Sequence, residues 1–145
     1  MFGHAPKELW QRWIPADEKN QIPLATRCFL FKTDAGKHIL FDAGIGLFFE
    51  PKMRQRYGVT ESEHVLLREL EALGLSHGDI DVVILSHLHF DHVGGLLSVY
   101  GEGERRLLFP NATYHVSRPH WERARSPHQR DKTSFIPEIQ TLLER

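Results

Sequence analysis

Apolar and polar positions alternate with two different periods along this chain, and the switches between them mark its elements. From Ile22 to Lys32 the pattern is strand-like, with Cys28, Phe29, Leu30 and Phe31 at its centre. Asp34-Ala-Gly36 reads as a turn, and Lys37 to Phe41 as the returning strand, which Asp42-Ala-Gly-Ile-Gly46 then breaks. Glu50 to Tyr57 predicts a short helix. Thr60-Glu-Ser-Glu63 has the form of a capping box, followed by Val65, Leu66, Leu70 and Leu73 at helical spacing and Gly74 as a stop. Ser76-His-Gly-Asp79 predicts one further capped turn. Val82-Val-Ile-Leu85 is an all-apolar run, as expected of a strand buried on both faces. Ala112 to Val116 predicts another strand, and Pro119 to Arg125 and Phe135 to Leu143 predict helices. Residues 1–20 mix Trp10, Trp13, Pro6 and Pro15 with charges and show no period. They are expected to form an irregular arm whose aromatics dock on the body. Strands and helices alternate, so the class is α/β or the related α+β.

Composition narrows the functional classes. The chain has 145 residues, enough for one domain and a real core. Its 18 Lys+Arg and 19 Asp+Glu give a net charge of −1, so no global basic field attracts nucleic acid or an anionic membrane. Arg118, Arg123, Arg125 and Arg130 are interleaved with Glu122 and Asp131 and read as a solvated face. The single cysteine, Cys28, excludes an internal disulfide framework and a cysteine-rich zinc site, and reads as a buried strand residue. No apolar run has the length of a membrane span, and Met1 to Trp10 lacks a signal-peptide pattern. The expected location is therefore cytoplasmic.

The chemistry concentrates in one place. His87-Leu-His89-Phe-Asp91-His92 sets four metal donors within six residues, at the end of the Val82–Leu85 run. Imidazole nitrogen and carboxylate oxygen are good zinc donors, and in an extended segment residues two apart point the same way, so His87 and His89 converge. Asp91 and His92 are adjacent and need a turn, which Gly94-Gly95 just downstream permits. Two pairs of ligands suggest two metals sharing one loop. The competing reading, a run of surface histidines or a tag, fits poorly because the run is internal and spaced.

With Val82-Val-Ile-Leu-Ser86 before it and Gly94-Gly95 after it, this motif resembles the signature of the metallo-β-lactamase superfamily, and Phe41-Asp-Ala-Gly44 resembles that family's upstream Asp-x-Gly element. The resemblance runs from about Ile22 onward. It implies that His87 and His89 hold one zinc, that Asp91 and His92 hold a second, and that Asp42 orients the metal loop from behind. Met1-Phe-Gly-x-x-Pro6-Lys7-x-x-Trp10, Pro15-Ala-Asp17 and Phe109-Pro-Asn-Ala112 are similar to the acyl-homoserine-lactone lactonases and their phosphotriesterase-like relatives. Diiron oxygen-reducing members tend to carry Glu where this chain has His89, so the resemblance implies hydrolytic zinc chemistry. Manganese, cobalt and iron suit the same ligands.

The implied fold is one half of an αββα sandwich, a mixed sheet with helices on its outer face. The implied function is a dinuclear zinc hydrolase that turns metal-bound hydroxide on a lactone, ester or phosphoester, with Asp91 also assisting proton transfer to the leaving group. The family's third histidine, bridging carboxylate and last histidine come from its second half, in a Gly-His-containing loop and beyond. No such loop follows here, and His115, His120 and His128 read as structural or surface residues. The chain is therefore expected to be the N-terminal part of one domain, inactive by itself. The other functional class is a catalytically silent half-domain or assembly module completed by another chain. Phe29, Phe31, Ile39, Phe41, Val83 and Leu85 are expected to supply core faces, with alternation letting only some of them point inward. A bare sheet face would favour a homodimer or pairing with the missing half.

Overall fold

The structure is a computed structural model that describes residues 2 and 4–144. Met1 and Gly3 of the N-terminal motif, and Arg145, lie outside the described residues. Four short strands form one sheet: β1 (Phe29–Lys32), β2 (His38–Phe41), β3 (Val82–Leu85) and β4 (Thr113–Val116), in the order β1-β2-β3-β4. The first pair is antiparallel, with Phe29 opposite Phe41; β2–β3 and β3–β4 are parallel. The sheet is thus mixed, as expected. Its parallel strands are joined by crossovers that carry α2 (Pro51–Tyr57) and α3 (Val65–Ala72), then α4 (Phe90–Val93). Two further helices, α1 (Lys7–Trp10) in the arm and α5 (Arg118–Arg125) after β4, precede the last, α6 (Ile139–Leu143). Among the described residues no helix is long and apolar enough to cross a membrane.

The core lies on one face of the sheet. Leu40, Val83 and Leu85 point into it and meet Leu70, Ile80, Leu88, Val93, Leu96, Phe109, Ile136 and Ile139. The opposite face is open. Phe29 and Phe31 are exposed, Phe41 is 39% exposed, and Phe29 packs edge-on against Phe41 at 6.0 Å. Of the six residues expected to supply core faces, Val83 and Leu85 are buried, Ile39 is half-buried, and Phe29, Phe31 and Phe41 are exposed, so only some point inward, as expected. Period-2 alternation is the reason: neighbours along a strand serve opposite faces, and only one face is covered. Val82 and Ile84 are half-buried for the same cause, so β3 is not buried on both faces.

Other expectations shift by a few residues. The strand expected from Ile22 is ordered as a strand only from Phe29, because its partner β2 ends at Phe41 and residues 22–28 have no ladder to join. Helix α3 starts at Val65, five residues after Thr60, with His64 as its cap. The Thr60–Glu63 capping box is not made, since Glu63 reaches instead to Arg68. A capping box does form at Ser76–Asp79, and Gly74 takes the left-handed conformation that ends α3. The arm's aromatics do not dock as expected: Phe2 stacks on Trp10 at 4.7 Å, and Trp13 is exposed.

Candidate metal centre

The centre is built where β2 and β3 end side by side. Parallel strands present their carboxyl ends together, so the turn after Phe41 and the turn after Leu85 are neighbours. Asp42 occupies the first turn with φ +55, a left-handed conformation rare outside glycine and best tolerated by Asp and Asn. Its amide donates to the Ile84 carbonyl at 2.9 Å, which locks this backbone to β3. The second turn carries His87 and His89 in extended chain. His89 then caps α4, the helical turn that holds Asp91 and His92 and supplies the bend their adjacency requires.

The two turns interlock through backbone. Ala43 N–H donates to His92 O at 2.7 Å, and Gly95 N–H donates to Gly44 O at 2.9 Å. A Cβ on Gly95 would overlap the Ala43 carbonyl, and one on Gly94 would overlap the Ile45 carbonyl. Both glycines are required by close approach. From the outer side, Phe90 packs on Tyr57 at 4.6 Å and on Phe49 at 5.2 Å, anchoring the loop between its second and third donors.

Hydrogen bonds set the state of the imidazoles. A carboxylate accepts only, so His92 Nδ1 carries the proton that it donates to Asp42 Oδ2 at 2.8 Å. The Ser86 hydroxyl donates to the same oxygen at 2.8 Å, and Ser86 N–H donates to Oδ1 at 2.8 Å. With its one hydrogen spent on Asp42, Ser86 Oγ accepts from His87 Nδ1 at 3.0 Å. One carboxylate thereby fixes two tautomers and leaves Nε2 of both His87 and His92 with a free lone pair, the arrangement typical of metal-bound histidine. His87 is held below the ordinary histidine range, first by burial and then by the neighbouring His92 and His89, which favours its neutral form. Cys28, behind Asp42, is pushed up to about 11 by burial and by that carboxylate, so it is an inert thiol.

The residues expected to bind metal are brought together. Rings of His87 and His89 lie 4.6 Å apart, and those of His87 and His92 lie 4.0 Å apart. His92 Nε2 and Asp91 Oδ2 are 3.6 Å apart. Two tetrahedral ligands at zinc distances would be separated by about 3.3–3.6 Å, so this pair fits one ion. Among the described residues no group of three His, Cys, Asp or Glu side chains is arranged to hold a metal ion.

Sequence reasoning missed three participants. Ser86 links Asp42 to His87, but a serine between a strand and a histidine carries no signal of its own. Phe135 packs edge-on over His89 at 4.7 Å and forms a backbone bridge with it, a contact across 46 residues. His120, expected on the surface, is exposed but stands only 6.1 Å from His87. His115 lies on the open sheet face opposite Ile84, and His128 accepts a hydrogen bond from Arg130 N–H, both apart from the centre.

Comparison with known proteins bears on the family and the fold. The family model described as the metallo-beta-lactamase superfamily matches residues 22–137. An N-acyl homoserine lactonase of Agrobacterium fabrum is 31% identical over 120 residues, covering 77% of this chain and 40% of that protein. The crystal structure of a probable metal-dependent hydrolase from Staphylococcus aureus superposes with a TM-score of 0.80 at 36% identity, covering 94% of this chain and 47% of that one. AidC, a dizinc quorum-quenching lactonase, superposes with a TM-score of 0.56 at 30% identity, covering 79% and 38%. The chain spans less than half the length of each of these relatives.

Proposed function

The chain belongs to the metallo-β-lactamase superfamily, and from that premise we propose that it carries the metal-binding half of a dinuclear zinc hydrolase for lactone, ester or phosphoester substrates. The observation that carries this reading is the Asp42–Ser86 network, which leaves Nε2 of His87 and of His92 free on one side of the loop. A structural ion pair would have no use for two imidazoles oriented in this way. The lactonase relatives support the choice of a strained or activated ester as substrate class.

His87 and His89 would hold one ion, Asp91 and His92 the other. When bound, two zinc ions supply an activated water and Lewis-acid polarisation of the scissile group. The chain's own residues do the rest. Asp42 and Ser86 hold the donors in their ligating tautomers and pay their reorganisation in advance. Asp91, 3.6 Å from His92, would take a proton and pass it to the leaving oxygen. Phe135 covers His89 and limits the access of water.

A second reading rests on the open sheet face. Phe29, Phe31 and Phe41 form an exposed apolar surface suited to a second sheet, so this half-domain is completed by another polypeptide or by a second copy. The test is zinc content after gel filtration, with hydrolysis of a lactone, an aryl ester and a phosphotriester. These are measured on this chain and on one of the relatives' full length. Zinc bound by the longer chain, with hydrolysis lost in His87→Ala, supports the enzyme. Failure of the longer chain to retain zinc overturns it.

A further inference from the structure

β4 runs parallel beside β3, with Val116 opposite Leu85, so the chain leaves both strands at the same end of the sheet. From β3 it enters the metal loop. From β4 it enters α5, whose first turn carries His120. An imidazole from outside the motif thereby stands beside it, with its ring centre 6.1 Å from that of His87. The backbone under His120 is fixed. Trp121 O accepts from the Gln140 amide at 2.9 Å, and Arg123 donates twice to Asp131 Oδ2, at 3.0 and 2.7 Å. The His120 side chain itself is exposed, so it can turn without disturbing the core.

Two imidazoles on one zinc ion have ring centres about 5.2 Å apart, for zinc–nitrogen bonds of about 2.0–2.1 Å and a tetrahedral angle. His87 and His89, at 4.6 Å, fall just inside that separation, and His87 and His120, at 6.1 Å, just outside it. As they stand the three rings form no closed triad, but a shift of the His120 ring by about 1 Å brings it to the separation that a shared ion requires. His87 has Nε2 available for that ion, because its Nδ1 is engaged by Ser86 at 3.0 Å. We propose that His120 is the third nitrogen donor to the ion held by His87 and His89. This rests on the reading of those two histidines as metal ligands. Three protein donors and a water are the usual make-up of a reactive zinc site, so these 145 residues complete one ion site from within themselves.

The test uses this chain with one equivalent of zinc. Affinity is measured by competition with a chromophoric chelator, the number of imidazoles on the ion by X-ray absorption, and folding of each variant by circular dichroism. His120→Ala should lose about 100-fold in affinity, the top of the range for outer partners of a ligand and the least expected of a direct donor. The imidazole count should fall from three in the parent to two. His115→Ala, exposed on the open sheet face, should keep both values. An unchanged imidazole count in His120→Ala overturns the proposal even if affinity falls, since His120 then acts from outside the ion's shell. A parent chain that binds no zinc also overturns it, whereas the hydrolase reading falls only if a chain of the relatives' length retains none.

Discussion

Replacing Asp42 by Asn tests the tautomer argument with the smallest possible change. The side chain keeps its shape, and Asn tolerates the left-handed backbone at φ +55 as well as Asp does. Only one acceptor becomes a donor. If the amide oxygen stays opposite Ser86 N–H, the NH₂ group faces His92 Nδ1 and the Ser86 hydroxyl, both of which donate at 2.8 Å in the parent. His92 must then accept at Nδ1 and move its proton to Nε2, which removes the lone pair that faces Asp91. If the amide flips, its NH₂ opposes the Ser86 amide, which is also a donor. Neither orientation satisfies the site. Loss of such an outer partner typically costs 10- to 100-fold in metal affinity, about 1.4–2.7 kcal/mol. The assay is zinc competition against a chromophoric chelator, with thermal melts to confirm that both proteins fold. An Asp42→Asn protein that folds and binds zinc within about threefold of the parent refutes the reasoning, because a neutral oxygen would then serve as well as the carboxylate.

Other outcomes follow from the same geometry. Gly95→Ala should cost about 3 kcal/mol, the upper end for overpacking, since the added carbon meets the backbone carbonyl of Ala43 rather than a movable side chain; a melting temperature within a degree of the parent contradicts this. Stability of the metal-free protein should fall on acidification below about pH 6.5. His64 and His87 are held below that value in the folded state, chiefly by burial, so the unfolded chain takes up protons first. Above that pH both states are neutral there and the effect vanishes; denaturant titrations from pH 5 to 8 measure it, and a flat profile counts against it. Replacing Phe29 and Phe31 by Thr should reduce self-association in light scattering, because both side chains lie exposed on the open sheet face; unchanged association places the contact elsewhere.

The parts legible in the sequence were those set by local chemistry. The His87–His92 spacing, the Val82–Leu85 strand and the stop at Gly74 depend on neighbours within a few residues, and each is found where the pattern put it. What failed was set by partners far along the chain. Whether Ile22 to Cys28 pairs depends on where β2 stops. Whether Phe41 is buried depends on what covers the sheet, which alternation alone does not disclose. The start of α3 was decided by Glu63 choosing Arg68 and by His64 reaching inward. Ser86, His120 and Phe135 belong to the centre through folding alone, the last two arriving from beyond β4.

The interlocked glycines bear on how such a site diversifies. Gly94 and Gly95 press against the carbonyls of Ala43 and Ile45, with Gly46 returning the contact, so neither turn admits an insertion or a larger residue without displacing the other. Heritable variation is barred from the segment that holds the donors. It is left to chain that leans on the centre from outside, where His120 stands near His87 and Phe135 adds a ring and one backbone bridge to His89, apart from the glycine lock. On this scaffold, residues 118–135 have room to change around the centre, while the cradle beneath has none.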